Sequence, residues 1–419
     1  MGVASLGVVW TLLLVLGAPF GVGFVLLTSL AVGGVALAAG RRRSTRVAAG
    51  GGRAGRSLWI AAAATGAGAL AVAAYLASLF RVARVEGVFS FDGWAFWVTR
   101  GKAVYYFDGL DEQVFATVPH PSYPPVIPIL DAAAFHAMGS ADTVTLHVHY
   151  WLLAVGFVAA AAGLLAGRVP PWILWPSLVL ALVLPRVRSS TVAAQADLPL
   201  DYLIVTAAIL VALWLVDRHA WMLGSAAILL AGAGLVKREG IVLAACVLAA
   251  GLLASVRTRR RDWGPLLVVG LGVAAATVPW RLWHAARGIE GETGTGGLDT
   301  LLSQRTIDSV RLALDVLSSD RFSLAPTVGL VAVALAAVWG RRRHALYVAS
   351  LVCLLTLAGA STSVVFPEIA VTADEAVNPV VRLTVATVLS LSCLTPLLLA
   401  GVWAGRAPPA LGPDESAVP

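Results

Sequence analysis

The chain has 419 residues, of which 59% are hydrophobic and only 13% charged. A soluble domain of this length needs a far larger charged surface, so the composition excludes a water-soluble globular protein and makes lipid the main solvent. The net charge of +7 does not indicate a nucleic-acid partner, because arginine clusters in so apolar a chain mark cytoplasmic loops.

Residues 1–40 read as a transmembrane hairpin, with spans at 3–18 and 21–39 broken near Pro19 and Gly21. They are too long and too apolar for a cleaved signal peptide and have no basic leader. Residues 41–56 form a basic, glycine-rich loop with Arg41, Arg42, Arg43, Arg46, Arg53 and Arg56, placed in the cytoplasm. A transmembrane domain occupies 57–405. It starts with a span at 57–79 and continues through a mixed loop, 80–142, rich in Trp, Tyr, Pro, His and Asp. Further apolar runs lie near 143–167, 172–187, 199–216, 219–236, 239–255, 264–282, 323–339, 345–363 and 380–404. The expected fold is an all-α polytopic membrane protein of about 12 transmembrane helices. The tail, 406–419, reads as disordered. Cys246, Cys353 and Cys393 fall inside apolar runs without short spacing, which argues against a disulfide framework or a zinc site.

Alternating outward from a cytoplasmic 41–56 loop brings Arg168, Arg218, Arg257, Arg259, Arg260, Arg261, Arg341, Arg342 and Arg343 to the inner side. That consistency fixes an expected orientation in the plasma (inner) membrane. The outer side then carries 80–142, 188–198, the Lys237 turn, 283–322 and 364–379. In 300–318, Ile307, Val310, Leu314 and Leu317 recur at helical spacing, as in a helix lying flat in the interface.

The outer segments hold the residues that could do chemistry. Loop 80–142 contains Asp92-Gly93-Trp94-Ala95-Phe96-Trp97, then Arg100, Lys102 and Tyr105. An N-cap and an aromatic belt would explain this run without catalysis; the functional alternative makes Asp92 a general base toward a hydroxyl. His120-Pro121-Ser122-Tyr123-Pro124-Pro125 is expected to be an extended, rigid wall presenting His120 and Tyr123. Asp197, at the entrance of a span, either caps the helix beginning at Pro199 or works in a site, and Asp201 lies nearby. Lys237-Arg238-Glu239 separates two apolar runs with almost no loop. Its cations either snorkel or seat a lipid phosphate, together with Arg281 and Arg382. His147 and His149 are spaced i, i+2, which does not put both rings on one helix face, so no metal site is expected.

Taken together and in this order, these segments resemble the GT-C superfamily of polytopic glycosyltransferases. The likeness is nearest to bacterial relatives of dolichyl-phosphate-mannose protein mannosyltransferases and aminoarabinose transferases. It covers roughly residues 57–400, through the Asp92 loop with its aromatics and Lys102, the His120-to-Pro124 element, the acidic loop at Asp197, the Lys237-to-Gly240 turn, and Arg382 at the head of a late span. The 1–40 hairpin is extra to the family's core, and the second acid is a lone Asp197.

The resemblance implies a GT-C-like helical core with short interfacial helices in its extracytoplasmic loops. It also implies transfer of a sugar from a polyprenyl-phosphate donor to a glycan, lipid or protein acceptor. Asp92 and Asp197 would be catalytic, with Asp92 as base in an inverting single displacement. Lys237, Arg238, Arg382 and Arg281 would hold the donor phosphate. Trp94, Trp97, Lys102, Tyr105, His120, Tyr123 and Glu239 would contact substrate. Membrane lipid is the surrounding partner, and neither a divalent metal nor another cofactor is expected, the lipid-linked sugar being a substrate. Two other classes compete: a lipid or sugar transporter or flippase, which calls for deep charges, broken helices and repeats, and a non-catalytic subunit of an envelope assembly.

Overall fold

The computed structural model describes residues 1–44, 56–256, 262–289, 304–365 and 373–406. Among them are 17 α-helices, one π-helical turn and no strand. This is the outcome expected of a chain in lipid, where only a helix satisfies its own backbone polar groups. In chain order the first helices are α1 (Gly2–Val15), α2 (Val22–Ser44) and α3 (Arg56–Ala83). The π turn (Gly93–Trp97) leads into α4 (Val98–Phe107), α5 (Glu112–Thr117) and α6 (Val126–Met138). Then come α7 (His147–Leu165), α8 (Pro171–Val183), α9 (Pro185–Thr191), α10 (Asp197–Asp217), α11 (Ala220–Val236) and α12 (Glu239–Ser255). The last are α13 (Trp263–Ala286), α14 (Gln304–Leu317), α15 (Ala325–Trp339), α16 (Arg342–Val365) and α17 (Ala373–Arg406).

Six stretches are long and apolar enough to cross a bilayer: Trp59–Ala83, His147–Leu165, Asp197–Asp217, Trp263–Ala286, Arg342–Ser361 and Val380–Ala404. The bent pair α8–α9 would make a seventh. The expected spans at α1, α11, α12 and α15 are also helical but shorter; at 1.5 Å per residue, the 17 residues of α11 reach about 25 Å, less than a hydrocarbon core of about 30 Å. The expected loop 41–56 and tail 406–419 lie almost wholly outside the described residues, although α2 continues through Ser44 and α3 already begins at Arg56.

The centre of the bundle is α10, in which every residue from Leu198 to Leu215 except Leu203 is buried. A helix apolar on all sides belongs inside, and α7, α11, α12 and α17 surround it. At the periphery α3 exposes Leu70 and α13 exposes Leu267, Val268 and Leu271, as lipid-facing helices do. The N-terminal α1 packs on α6, α11 and α13 through Ala4, Trp10 and Leu14, all buried.

Two expectations change. The span expected at 172–187 ends at Val183, and α9 leaves it at an angle of 70°. Pro185 supplies no N–H and forces Leu184 out of the helical region (φ −52°, ψ 130°). The proline-rich wall is a tight turn rather than an extended segment: Tyr123 N–H donates to the His120 carbonyl at 3.1 Å, and His120 takes a left-handed φ of 60°. A helix, α14, also forms in the 300–318 region, with Ala313 and Val316 buried against the bundle and Ile307 and Leu314 exposed.

One end of the bundle is tied by arginines. Arg168 pairs with Asp217 at 2.8 Å, and Arg218 and Arg343 share Asp262 at 2.6 and 2.7 Å. Arg343 also donates to the Leu215 carbonyl at 2.9 Å, so the ends of α7, α10, α13 and α16 converge. Asp197 starts α10 at its other end, about 30 Å away. Asp262→Asn should lower stability by about 3 kcal/mol, because two half-buried guanidiniums lose the carboxylate they share. Unfolding in detergent, followed by near-UV circular dichroism, checks this; an unchanged transition would mean that the arginines do not depend on Asp262.

Candidate functional site

The end of α10 away from the arginine cluster carries a second, mixed-sign network. Asp92 stands just before the π turn with helical backbone angles and no capping hydrogen bond. Ser90 does the capping instead, its Oγ accepting from Gly93 N–H at 3.0 Å. A Cβ at residue 93 would meet that Oγ at 2.6 Å and the Ala194 carbonyl at 2.9 Å, so only glycine lets the chain turn here. Relieved of capping, the Asp92 carboxylate accepts from Arg382 Nη2.

Asp197 also departs from the capping alternative. It is the first residue of α10, Ala196 is the N-cap, and no side-chain cap bond forms. Its two oxygens divide between cations, Oδ2 accepting from Arg382 Nε at 2.5 Å and Oδ1 from Lys237 Nζ at 2.8 Å. Arg382 therefore bridges Asp92 and Asp197. Lys237 lies 3.6 Å from Glu239 Oε1, and the Tyr123 hydroxyl donates to the same oxygen at 3.4 Å.

Lys237 is 6% exposed, which excludes snorkelling. It sits at an extended break between α11 and α12 (φ −150°, ψ 155°). Gly240 makes that break possible, because a Cβ there would collide with the Ala233 carbonyl. Burial pushes the Tyr123 phenol above its ordinary pKa, with Lys237 opposing, so it remains a donor.

Aromatic rings wall the network. Tyr123 stacks on Trp97 (5.4 Å, 9°) and on His120 (5.0 Å, 18°), and Lys237 and Arg238 each lie 5.4 Å from its ring centre. The left-handed His120 is held by Arg100, a residue with no assigned role in the sequence. Fully buried, Arg100 donates from Nη2 to the carbonyls of Val118, Pro119 and His120 at 3.2, 3.0 and 2.8 Å. An arginine among aromatics, two residues before Lys102, was the available signal.

Other candidates lie apart from these ion pairs. Arg238 and Arg281 line a neighbouring cavity of about 220 Å³ with Ser122, Thr277, Trp280 and His284. Trp94 is 56% exposed and meets Phe91 edge-on. Tyr105 packs with Phe135 and His136 on α6, and Lys102 makes no ion pair among the described residues.

Asp201, named in the sequence only as lying near Asp197, is buried one turn after it, and its Oδ2 has no hydrogen-bond partner among the described residues. Two groups were missed. Arg186 on α9 is within electrostatic reach of Asp197, Asp201, Arg382 and Arg321. His149 and Tyr150 converge on the fully buried Asp131, at 3.6 and 3.1 Å, while His147 Nδ1 turns to the Thr143 carbonyl at 2.9 Å.

The network can hold an acid beside fixed cations, exchange one anionic partner for another, and keep both acids in register. Asp197→Asn should destabilise the chain by about 3–5 kcal/mol, because Lys237 and Arg382 lose a shared buried counter-ion. A double-mutant cycle with Arg382→Gln checks the pairing through unfolding in detergent. Additivity within about 0.5 kcal/mol would show that the two residues do not interact.

No protein-family model matches this chain, and neither a curated protein nor a solved structure is significantly similar to it.

Proposed function

We propose that the chain is an integral membrane glycosyltransferase. It moves a sugar from a polyprenyl-phosphate donor to a glycan, lipid or protein acceptor at the extracytoplasmic face of the plasma membrane. The observation that carries this reading is Arg382 held between Asp92 and Asp197, with Lys237 on Asp197's other oxygen. Four ionisable residues from distant parts of the sequence meet at one end of an apolar bundle, opposite its arginine-tied end. With the arginines in the cytoplasm, the network faces outward.

The chemistry suits such a site. An isoprenoid tail keeps the donor in the bilayer, so its phosphate lies at headgroup depth. When the bond from the anomeric carbon to the phosphate oxygen breaks, the bonding electrons leave with the polyprenyl phosphate. Lys237 and Arg382 stabilise that growing charge more than the ground state. Arg238 and Arg281 add positive charge from the adjoining cavity. Asp92 takes the proton of the acceptor hydroxyl as its oxygen attacks the opposite face of the anomeric carbon, inverting it. Arg382 must first pass from Asp92 to the phosphate, so the donor itself uncovers the base. Asp197 keeps both cations aimed throughout. Trp97 and Tyr123 are buried against each other, so they act as a wall that sets His120 and Lys237 rather than as open faces for a sugar.

A transport reading has one observation in its favour, the 70° break between α8 and α9 beside the network. The network nevertheless gathers where α10 begins, not halfway along it, as a mid-membrane transport site requires. Purified chain in liposomes, given radiolabelled polyprenyl-phosphate sugars and an envelope acceptor fraction, should form labelled product. Asp92→Asn should cut the rate about 10²–10⁴-fold, the contribution of a positioned base. Full transfer by that variant would remove Asp92 from the mechanism. Vectorial uptake of the intact donor without product would replace transfer with transport.

A further inference from the structure

Arg341 takes no part in the fastenings of the arginine end. Its side chain makes no ion pair or hydrogen bond among the described residues, whereas Arg168 holds Asp217 at 2.8 Å and Arg343 holds Asp262 at 2.7 Å. It stands just before α16, where its carbonyl accepts from the N–H groups of His344 at 2.9 Å and Ala345 at 3.2 Å. A helix presents unbonded N–H groups and positive partial charge at that end, so cations placed there are unfavourable until an anion joins them. Arg341, Arg342 and Arg343 follow one another at this point, and of the three it is Arg343 that Asp262 answers.

Beside this helix start lies a cavity of about 240 Å³ between α10, α16 and α17. Arg168, Asp217, Arg341 and His344 form its polar side. A Cβ at Gly401 would lie 3.7 Å from Arg341 Cγ, so the arginine stem rests directly on α17. His344 is buried and bonds the Ala212 carbonyl through Nε2 at 3.1 Å, which ties this side of the cavity to α10. The charges do not cancel. Two guanidiniums face one carboxylate, and that carboxylate is already committed to Arg168. The rest of the lining is apolar, with Leu213 and Val216 from α10 and Leu397, Ala400 and Ala404 from α17. An excess guanidinium beside an apolar wall suits an amphiphile, phosphate oxygens for the fork and hydrocarbon for the wall. A soluble phosphate would leave that wall wet, and a zwitterionic lipid would bring a cation of its own.

We propose that this cavity seats the headgroup of an anionic phospholipid, its phosphate on Arg341 and the start of α16, its glycerol end against the apolar wall of α10 and α17. With the arginine end in the cytoplasm, the lipid comes from the inner leaflet. The seat stands at the opposite end of α10 from Asp197 and does not depend on the transferase reading.

The test counts bound lipid. Full-length chain in a neutral detergent is titrated with dioleoyl phosphatidylglycerol, and native mass spectrometry follows the lipid retained. Dioleoyl phosphatidylcholine is the zwitterionic control and glycerol phosphate the soluble competitor. Wild type should retain one phosphatidylglycerol in preference to phosphatidylcholine, and glycerol phosphate should not displace it. R341Q should weaken that binding at least tenfold, and so should A404L, which fills the apolar wall without touching a charge. Both positions are exposed, so both variants should fold, which near-UV circular dichroism verifies. R342Q changes the adjoining exposed arginine, which does not line the cavity, and should bind as wild type does. Equal weakening by R341Q and R342Q would mean diffuse attraction to a basic surface and would overturn the seat. Undiminished binding in R341Q, or phosphatidylcholine held as tightly as phosphatidylglycerol, would overturn it too. Displacement by glycerol phosphate would overturn the assignment to a lipid.

Discussion

One guanidinium shared by two carboxylates organises the Asp197 end of this bundle. Arg382 is carried by the last helix, α17, Asp92 by the first long connection and Asp197 by the central helix. Taking such charges out of water costs several kcal/mol per ion and is offset only when geometry and hydrogen bonding are nearly complete. The surroundings supply that geometry. Gly93 lets the chain turn beneath Asp92, Gly240 lets α12 begin against α11 so that Lys237 lies between them, and Arg100 clamps the carbonyls that fix His120 and Tyr123. Each device is local, and each serves a contact made far away in sequence.

The central helix gives these contacts a direction. Both ends of α10 are ionic, Asp197 at its start and Asp217 with Arg218 at its finish, with buried side chains between them. The two ends differ in kind. At the arginine end, basic side chains pair with Asp217 and Asp262 near the helix termini and also bond a backbone carbonyl, as interhelical fastenings do. At the Asp197 end, carboxylates, cations and a phenol form one connected chain of contacts beside a cavity, an arrangement able to trade partners.

Much of the helical layout was legible because apolar runs are long and the backbone in lipid has one solution. Crossing was less legible, since α1, α11 and α15 are apolar yet shorter than the runs read from sequence, which included residues in the bends and caps, and α12 fills its run at 239–255 with only 17 residues. In the site, charge on the expected outer segments brought Asp92, Asp197, Lys237 and Arg382 under one heading, and the structure brings the four into contact. The sequence could not decide cap against pair for either aspartate. That choice turned on Ser90 capping Gly93 and on Arg382, almost 300 positions away from Asp92, completing both pairs. Arg186 was hidden by the assumption that 172–187 is a single span, although Pro185 marks the break. Asp131 was hidden because its partner His149 was read only as a metal ligand and Tyr150 carried no assigned role.

The shared guanidinium also bears on how a site of this kind avoids unpaired charge. An anion approaching Lys237 and Arg382 does not meet free cations; it must displace carboxylates that already neutralise them. Displacement of Asp92 alone is the cheapest exchange, because Arg382 reaches Asp92 through Nη2 and Asp197 through Nε, so the first contact can break while the second still aims the side chain. At no point does Arg382 lose every partner, and the heavy penalty for an isolated buried charge is not incurred. Asp92 emerges from the exchange without its cation, at the moment a phosphate occupies its place. In a transferase that coupling withholds the base until the donor is seated.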